Sequence, residues 1–150
     1  MNTVIDQYGQ ILLEAMGQTL LLALYGLLFA CILGLIFGML SVVKNKVCNV
    51  IAYIFVYAIR GVPMIVLAFF IFFGVPYLFN TIFEGLFAEK ITLTALQAGT
   101  ACLALNCGAY MSEIIRAGIQ SVDRGQMEAA RSLGMTYWRS MVKVVLPQAI

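Results

Sequence analysis

The sequence predicts an all-α, polytopic helical membrane protein. Hydrophobic residues make up 63% of the 150-residue chain and charged residues only 11%, against roughly 45–50% and about 25% in soluble domains. No charge occurs from Ala15 to Val43, from Gly61 to Phe83, or from Ile91 to Ser112. About 20 residues carry a helix across a hydrocarbon core of roughly 30 Å, and each run is longer than that. A membrane barrel would instead alternate apolar and polar residues over segments of about 10 residues, which these runs do not do.

The expected spans are Gln18–Val43, Pro63–Asn80 and Leu93–Ser112. Residues 1–16 form a segment outside the first span. Its Asp6 and the length of the apolar run that follows both argue against a secretory signal peptide. In the first span Ala30, Gly34 and Gly38 recur every fourth residue. They make a small face for close contact with another helix that the sequence does not identify.

The segment Val47–Ile59 is apolar but would cover only about 20 Å as a helix. Three readings stay open for it: a short span, an interfacial helix, or the lead-in to the next span. Arg60-Gly61-Val62-Pro63 then forms an irregular joint, with Pro63 suited to the first turn of the following helix. Arg60 is expected to cap this bend or snorkel at the cytoplasmic edge rather than touch a substrate. Gly74-Val75-Pro76 offers a second bend near the outer surface.

Charge placement sets the topology. With three spans, Lys44 and Lys46 share a side with Arg116, Arg124, Arg131, Arg139 and Lys143, and the other side holds Asp6, Glu14, Glu84, Glu89 and Lys90. The positive-inside rule then puts the amino terminus outside and everything after Ser112 in the cytoplasm. The net charge of +2 reflects this topology and carries no argument for nucleic acid.

Asn106, Tyr110 and Glu113 lie in or beside the third span, where lipid cannot satisfy polar groups. They either line a path for a small zwitterion or bond within the bundle, with Glu113 paired to Arg116 one turn away. Cys31, Cys48, Cys102 and Cys107 form no CxxC pair, and histidine is absent. They read as small packing residues, and neither a metal centre nor redox chemistry is expected.

The cytoplasmic stretch predicts two short helices. The first runs from Gln126 to Leu133, with Glu128 in its first turn, Arg131 in its last, and Gly134 as its left-handed terminator. Ala129 and Ala130 leave one side low enough for another surface to approach. The second runs from Tyr137 to Leu146, with Thr136 as N-cap. Its polar stripe is Thr136, Arg139, Ser140 and Lys143, and its apolar face is Trp138, Met141, Val142 and Val145. Tyr137 and Trp138 suit headgroup level. Pro147 marks a sharp restart.

"EAA" at 128–130, Gly134, Val144 and "LP" at 146–147 resemble, in order and spacing, the EAA loop of ABC-transporter permeases. "RGVPM" at 60–64, "LNCGAYMSEIIRAGIQSV" at 105–122 and "GQMEAARSLGM" at 125–135 are similar to the polar amino acid uptake permeases of the type I fold. The likeness runs from about residue 17 to the end and implies a transmembrane domain over 17–150, with the coupling loop at about 121–147. Val144 replaces the usual isoleucine. The resemblance implies that Glu128, Ala129, Ala130 and Gly134 contact a cytoplasmic ATPase, while Leu146 and Pro147 set the return to the membrane. It also implies two ATPase subunits, an external amino-acid-binding protein, a second permease copy or sister permease, and a bacterial inner-membrane location. Permeases of this kind continue beyond the LP element by two more helices, for about five spans in all, so this chain is expected to be truncated.

Three functions compete. The chain has no phosphate-binding Gly-Lys-Ser/Thr loop, so an importer permease would need no cofactor of its own and would take its energy from a partner. A gradient-driven carrier or channel would favour repeats and intramembrane carboxylates for ion coupling, whereas Glu14 and Glu113 sit at span ends. A membrane enzyme would need a reaction centre, for which no candidate group of side chains stands out. The sequence favours the permease, and does not choose among amino acids.

Overall fold

A computed structural model describes residues 2–43, 45–83 and 90–149, with side chains from Tyr8 onward. Lys44, Glu84 and Glu89, and the side chain of Asp6, all used in the charge count, lie outside the described residues. The helices are α1 (Asn2–Val42), α2 (Lys46–Arg60), α3 (Met64–Phe69), α4 (Val75–Ile82), α5 (Ala95–Ser121), α6 (Arg124–Ser132), α7 (Tyr137–Ser140) and α8 (Leu146–Ala149). Five-residue π turns, Phe70–Gly74 and Met141–Val145, join α3 to α4 and α7 to α8.

The seam between α1 and α5 holds the fold together. The small face foreseen on α1 lies against α5, and Gly26 extends it by one turn. A Cβ on Gly26 would meet Leu103 at 2.9 Å, one on Gly34 would meet Met111 at 2.7 Å, and one on Gly38 would meet Ile115 at 2.9 Å. In return, a Cβ on Gly99 would meet Leu22 at 2.9 Å. The difference in residue number is identical in all of these pairs. A constant offset means that the two helices run in the same direction and in register. Ala30 is fully buried between the glycines. Small residues let the backbones approach, and dispersion across the close contact replaces the hydrophobic driving force that lipid cannot supply.

Residues 46–82 run the other way. Tyr53 faces Arg116, Arg60 faces Tyr110, the Met64 carbonyl accepts from the Cys102 thiol, and Asn80 bonds Ile91. Numbers rise on one side as they fall on the other, so α2, α3 and α4 form a single broken span antiparallel to α5. Of the three readings of Val47–Ile59, the structure selects the lead-in. Asn45 starts α2 by accepting from the Val47 N–H. The break is Gly61-Val62-Pro63, where Pro63 precedes the first residue of α3 and has no N–H to lose.

This geometry corrects the expected position of Arg60. It sits opposite Tyr110, about three helical turns in from the Ser121 end of α5. Arg60 therefore lies part-way along α5 rather than level with its end, and its side chain is exposed on this chain.

Neither later proline interrupts its helix, so the restart expected at Pro147 does not form. At Gly74-Val75-Pro76 and at Val145-Leu146-Pro147 the chain stays helical. Before each proline the ladder widens to a π turn, in which Val75 N–H bonds Phe70 O and Leu146 N–H bonds Met141 O. A proline ring in a helix clashes with the carbonyl four residues back, and the wider turn relieves that clash.

At the far end of the bundle Asn80 closes a loop by donating to Ile91 O at 3.0 Å and accepting from Ile91 N–H at 2.8 Å. A capping box starts α5: Thr94 accepts from Gln97 N–H while the Gln97 side chain accepts from Thr94 N–H. Tyr8–Val42 and Met64–Ile82 are long and apolar enough to cross a membrane. The third expected span, α5, has 27 residues but a more polar composition, including Asn106, Ser112, Glu113 and Arg116. It packs on both α1 and the broken span, with Ser112 buried and Asn106, Glu113 and Arg116 half-buried.

Candidate functional site

The first part of the site is the loop after α5. Only Val122 and Asp123 separate α5 from α6. The Asp123 carboxylate accepts from Gly125 N–H at 2.6 Å and starts α6 at Arg124, earlier than expected, as an N-cap does. Glu128 consequently lies in the second turn rather than the first, which corrects the helix-dipole argument made for it.

Gly134 has φ +82° and the only left-handed backbone among the described residues. Gly134 N–H bonds Arg131 O, and Met135 N–H bonds Ala130 O across the turn, satisfying carbonyls that the helix end would otherwise orphan. Nothing lies within 4 Å of where its Cβ would be. Glycine is needed here for its backbone conformation alone.

Around this turn Glu128, Ala129 and Gly134 are exposed. Ala130 is not. It is buried, which corrects its expected place on an outward contact surface. The reason is helical phase: the adjoining alanine faces out while Ala130 faces the protein. Leu133, which sequence reading passed over, is 84% exposed, the highest value among the large apolar side chains described. An unburied leucine at a helix tip is invisible to periodicity.

The return helix departs from its expected faces. Ser140 is fully buried, with its hydroxyl donating to Thr136 O, while Trp138 and Val142 are exposed. The buried side is Ser140, Met141 and Val145, and the last two pack on Ile119 of α5. Thr136 holds the N-cap position without a side-chain bond. Leu146 packs beside Val145, Pro147 is exposed, and a Cβ on Gly118 would meet Ala149 O at 2.7 Å. Thus α6 is joined to α5 by two residues at its start and braced on α5 by the returning helix.

The second part of the site lies along α5. Glu113 accepts from Arg116 at 2.7 Å, the pairing foreseen as one of its two readings. Arg116 also donates to Gln120 and lies over the Tyr53 ring, 5.9 Å from its centroid. Deeper in the bundle, the Arg60 guanidinium lies 4.7 Å from the Tyr110 ring centroid. Two cation–π contacts therefore clasp α2 to α5. Asn106, one turn further still, is half-buried and makes no side-chain hydrogen bond to the described residues. Gly61 and Pro63 form the break beside Arg60 as expected.

Among the described residues no group of three His, Cys, Asp or Glu side chains is placed to hold a metal ion. A crevice of about 740 Å³ lies under α6, lined by Ser41, Asn49, Tyr53, Gln120, Asp123 and Met127 among others. It separates α6 from the α1–α2 corner, so the helix is supported mainly through α5 and the return.

Residues 14–150 match the family model described as "Binding-protein-dependent transport system inner membrane component". The chain is 44% identical over 92 residues to the probable glutamine ABC transporter permease protein GlnM of Bacillus subtilis (strain 168), covering 61% of this chain and 38% of that protein. It is 39% identical over 117 residues to the putative glutamine transport system permease protein GlnP of Rickettsia prowazekii (strain Madrid E), covering 75% and 49%. It is also 39% identical over 116 residues to the nopaline transport system permease protein NocM of Agrobacterium fabrum, covering 75% and 46%. A crystal structure described as an amino acid ABC transporter with histidines matches with a TM-score of 0.74 and 33% identity, over 98% of this chain and 64% of that one. The chain thus spans two fifths to one half of the length of these curated relatives.

Proposed function

Since the chain belongs to the family of binding-protein-dependent transport system inner membrane components, we propose that it acts in an ATP-driven importer as the membrane permease for an amino acid. Its spans form part of the translocation path, with residues 1–16 outside and the domain from 17 onward in the bacterial inner membrane. The amino terminus faces out and α6 faces the cytoplasm. An external binding protein delivers the amino acid, two ATPase subunits supply the energy, and a second permease copy or a sister permease completes the path.

The observation that carries this reading is the knob made by α6 and its left-handed Gly134 turn. Glu128, Ala129, Leu133 and Gly134 form its outward surface, Ala130 packs its base, and Leu146 with Pro147 returns the chain to α5. A knob held at both ends by α5 passes a push from the ATPase directly into that helix. The α1–α5 seam and the Arg–Tyr clasps then move as one body with it. On α5, Asn106 and Tyr110 line the path, and Glu113 holds Arg116 in position beside it.

Reconstitution of the full-length protein with its ATPase and binding protein tests this reading. Uptake of an amino acid, tried across a panel of the twenty, should require both ATP and the binding protein. Uptake that instead follows an ion gradient without ATP would replace this reading with a gradient-driven carrier.

A further inference from the structure

We propose that Arg60 binds the α-carboxylate of the amino acid as it passes the break between α2 and α3. The inference deepens the transport reading above and rests on it.

The break interrupts a helical span at a level of α5 that is about three turns from its Ser121 end and about four turns from its Ala95 end. Irregular backbone at such depth is tolerated where it faces protein or a water-filled cavity, not where it meets lipid. A guanidinium at the same depth obeys the same rule, since a charge facing hydrocarbon costs several kcal/mol. Arg60, Gly61 and Val62 are nevertheless exposed on the surface of this chain, as is Tyr110. That face is therefore turned away from lipid, toward other protein or a polar path.

The chemistry of the site is that of a carboxylate receptor. Among the described residues the one ion pair is Arg116–Glu113, so the nearest acid along α5 is already engaged. The contact assigned to the Arg60 side chain is the Tyr110 ring. Among the described residues the guanidinium makes no hydrogen bond, so its N–H donors are available. Those donors match the two oxygens of a carboxylate in a parallel pair of bonds, which a lysine cannot reproduce. Asn106 lies one turn from Tyr110 within the same stretch of α5, with an amide that bonds none of the described residues, as a partner for the polar remainder of the ligand.

The experiment has two stages. Uptake by the wild-type complex first identifies an amino acid, and failure to take up any of the twenty would overturn the transport reading and this inference together. Binding of that tritiated amino acid is then measured on the full-length permease–ATPase complex in lipid nanodiscs, without the binding protein. The free amino acid should compete at least about tenfold better than its α-amide, the scale of one charge-assisted pair. R60Q should weaken binding by about tenfold and bring acid and amide to parity, while R60K, which keeps the charge but not the fork, should retain part of the preference. Co-purification of the ATPase checks that each variant assembles. R60K reads the same ratio if R60Q fails to assemble. If uptake occurs but the wild type does not bind, or binds acid and amide equally, or if the variants leave the ratio unchanged, the role of Arg60 is overturned and the transport reading stands.

Discussion

Gly34 and Gly134 serve opposite needs. At Gly34 the backbone is ordinary helix, and the missing side chain matters because Met111 fills its place, with Cβ, Cγ and Sδ at 2.7, 2.9 and 3.2 Å from a would-be Cβ. At Gly134 the surrounding space is empty and φ is +82°. The first glycine sets the distance between two long helices; the second sets the direction in which a short one ends. A rigid seam and a rigid knob both depend on glycine, but a substitution at each should damage a different property.

The largest effect is expected in the seam. Gly34→Val places atoms against the Met111 Cβ, which is fixed to its own backbone, so α1 and α5 must separate. Overpacking of this kind costs about 1–3 kcal/mol, which lowers the melting temperature of a chain this size by about 5 °C. Gly17→Val, where nothing lies within 4 Å, is the control and should leave melting unchanged. Equal melting of the two variants in detergent would mean that the seam does not hold the bundle.

Gly134→Val should do the reverse. A left-handed residue with a Cβ costs roughly 1–2 kcal/mol, and more when β-branched. The turn should open, and ATPase co-purification should fall by about tenfold or more, far out of proportion to a melting shift of only a few degrees. Normal docking and transport by this variant would remove the turn from the coupling path.

Much of this contrast was legible in the sequence, for physical reasons that differ by element. The every-fourth spacing of Ala30, Gly34 and Gly38 reads as a close-packing face on any helix, but its partner is a tertiary fact and needed the offset to α5. Gly134 could be placed because a helix stop leaves a local signature. The same helix starts at Arg124 rather than at the expected Gln126, because Asp123 stands just upstream with the side chain that caps it. Pro76 reads as a bend and Pro147 as a restart, because local rules do not anticipate a π turn that keeps the helix continuous. The depth of Arg60 is not legible, because a cap or a snorkelling cation is a local reading that fixes no height along a broken span.

Leu133→Ala is the next smaller perturbation. Fully burying a leucine side chain contributes about 1.5–3 kcal/mol, and a tip seated to about half that extent contributes roughly 1 kcal/mol. If the exposed tip enters an ATPase groove, truncation should weaken ATPase association by about fivefold to tenfold. Neither the Gly134 turn nor the fold should change, since the side chain has few neighbours in this chain. Unaltered association would confine the contact to the polar part of the knob.

The smallest effect tests whether the charge on the knob matters at all. Glu128 and Glu14 are both exposed and both sit on helices, but they occupy opposite ends of the chain's long axis as α1 and α5 define it. Glu128→Lys reverses a charge on the surface proposed to meet the ATPase; Glu14→Lys reverses one on the far side. Exposed pairs contribute about 0.2–1 kcal/mol, so Glu128→Lys should weaken ATPase association about twofold to fivefold, and less at high salt, where the field is screened. Glu14→Lys should have no effect at any salt. A packing defect caused by either lysine would persist at high salt, so the salt series separates electrostatics from shape. If the two reversals lower ATPase association equally, Glu128 is an ordinary solvated side chain and the contact rests on Leu133 and the glycine turn.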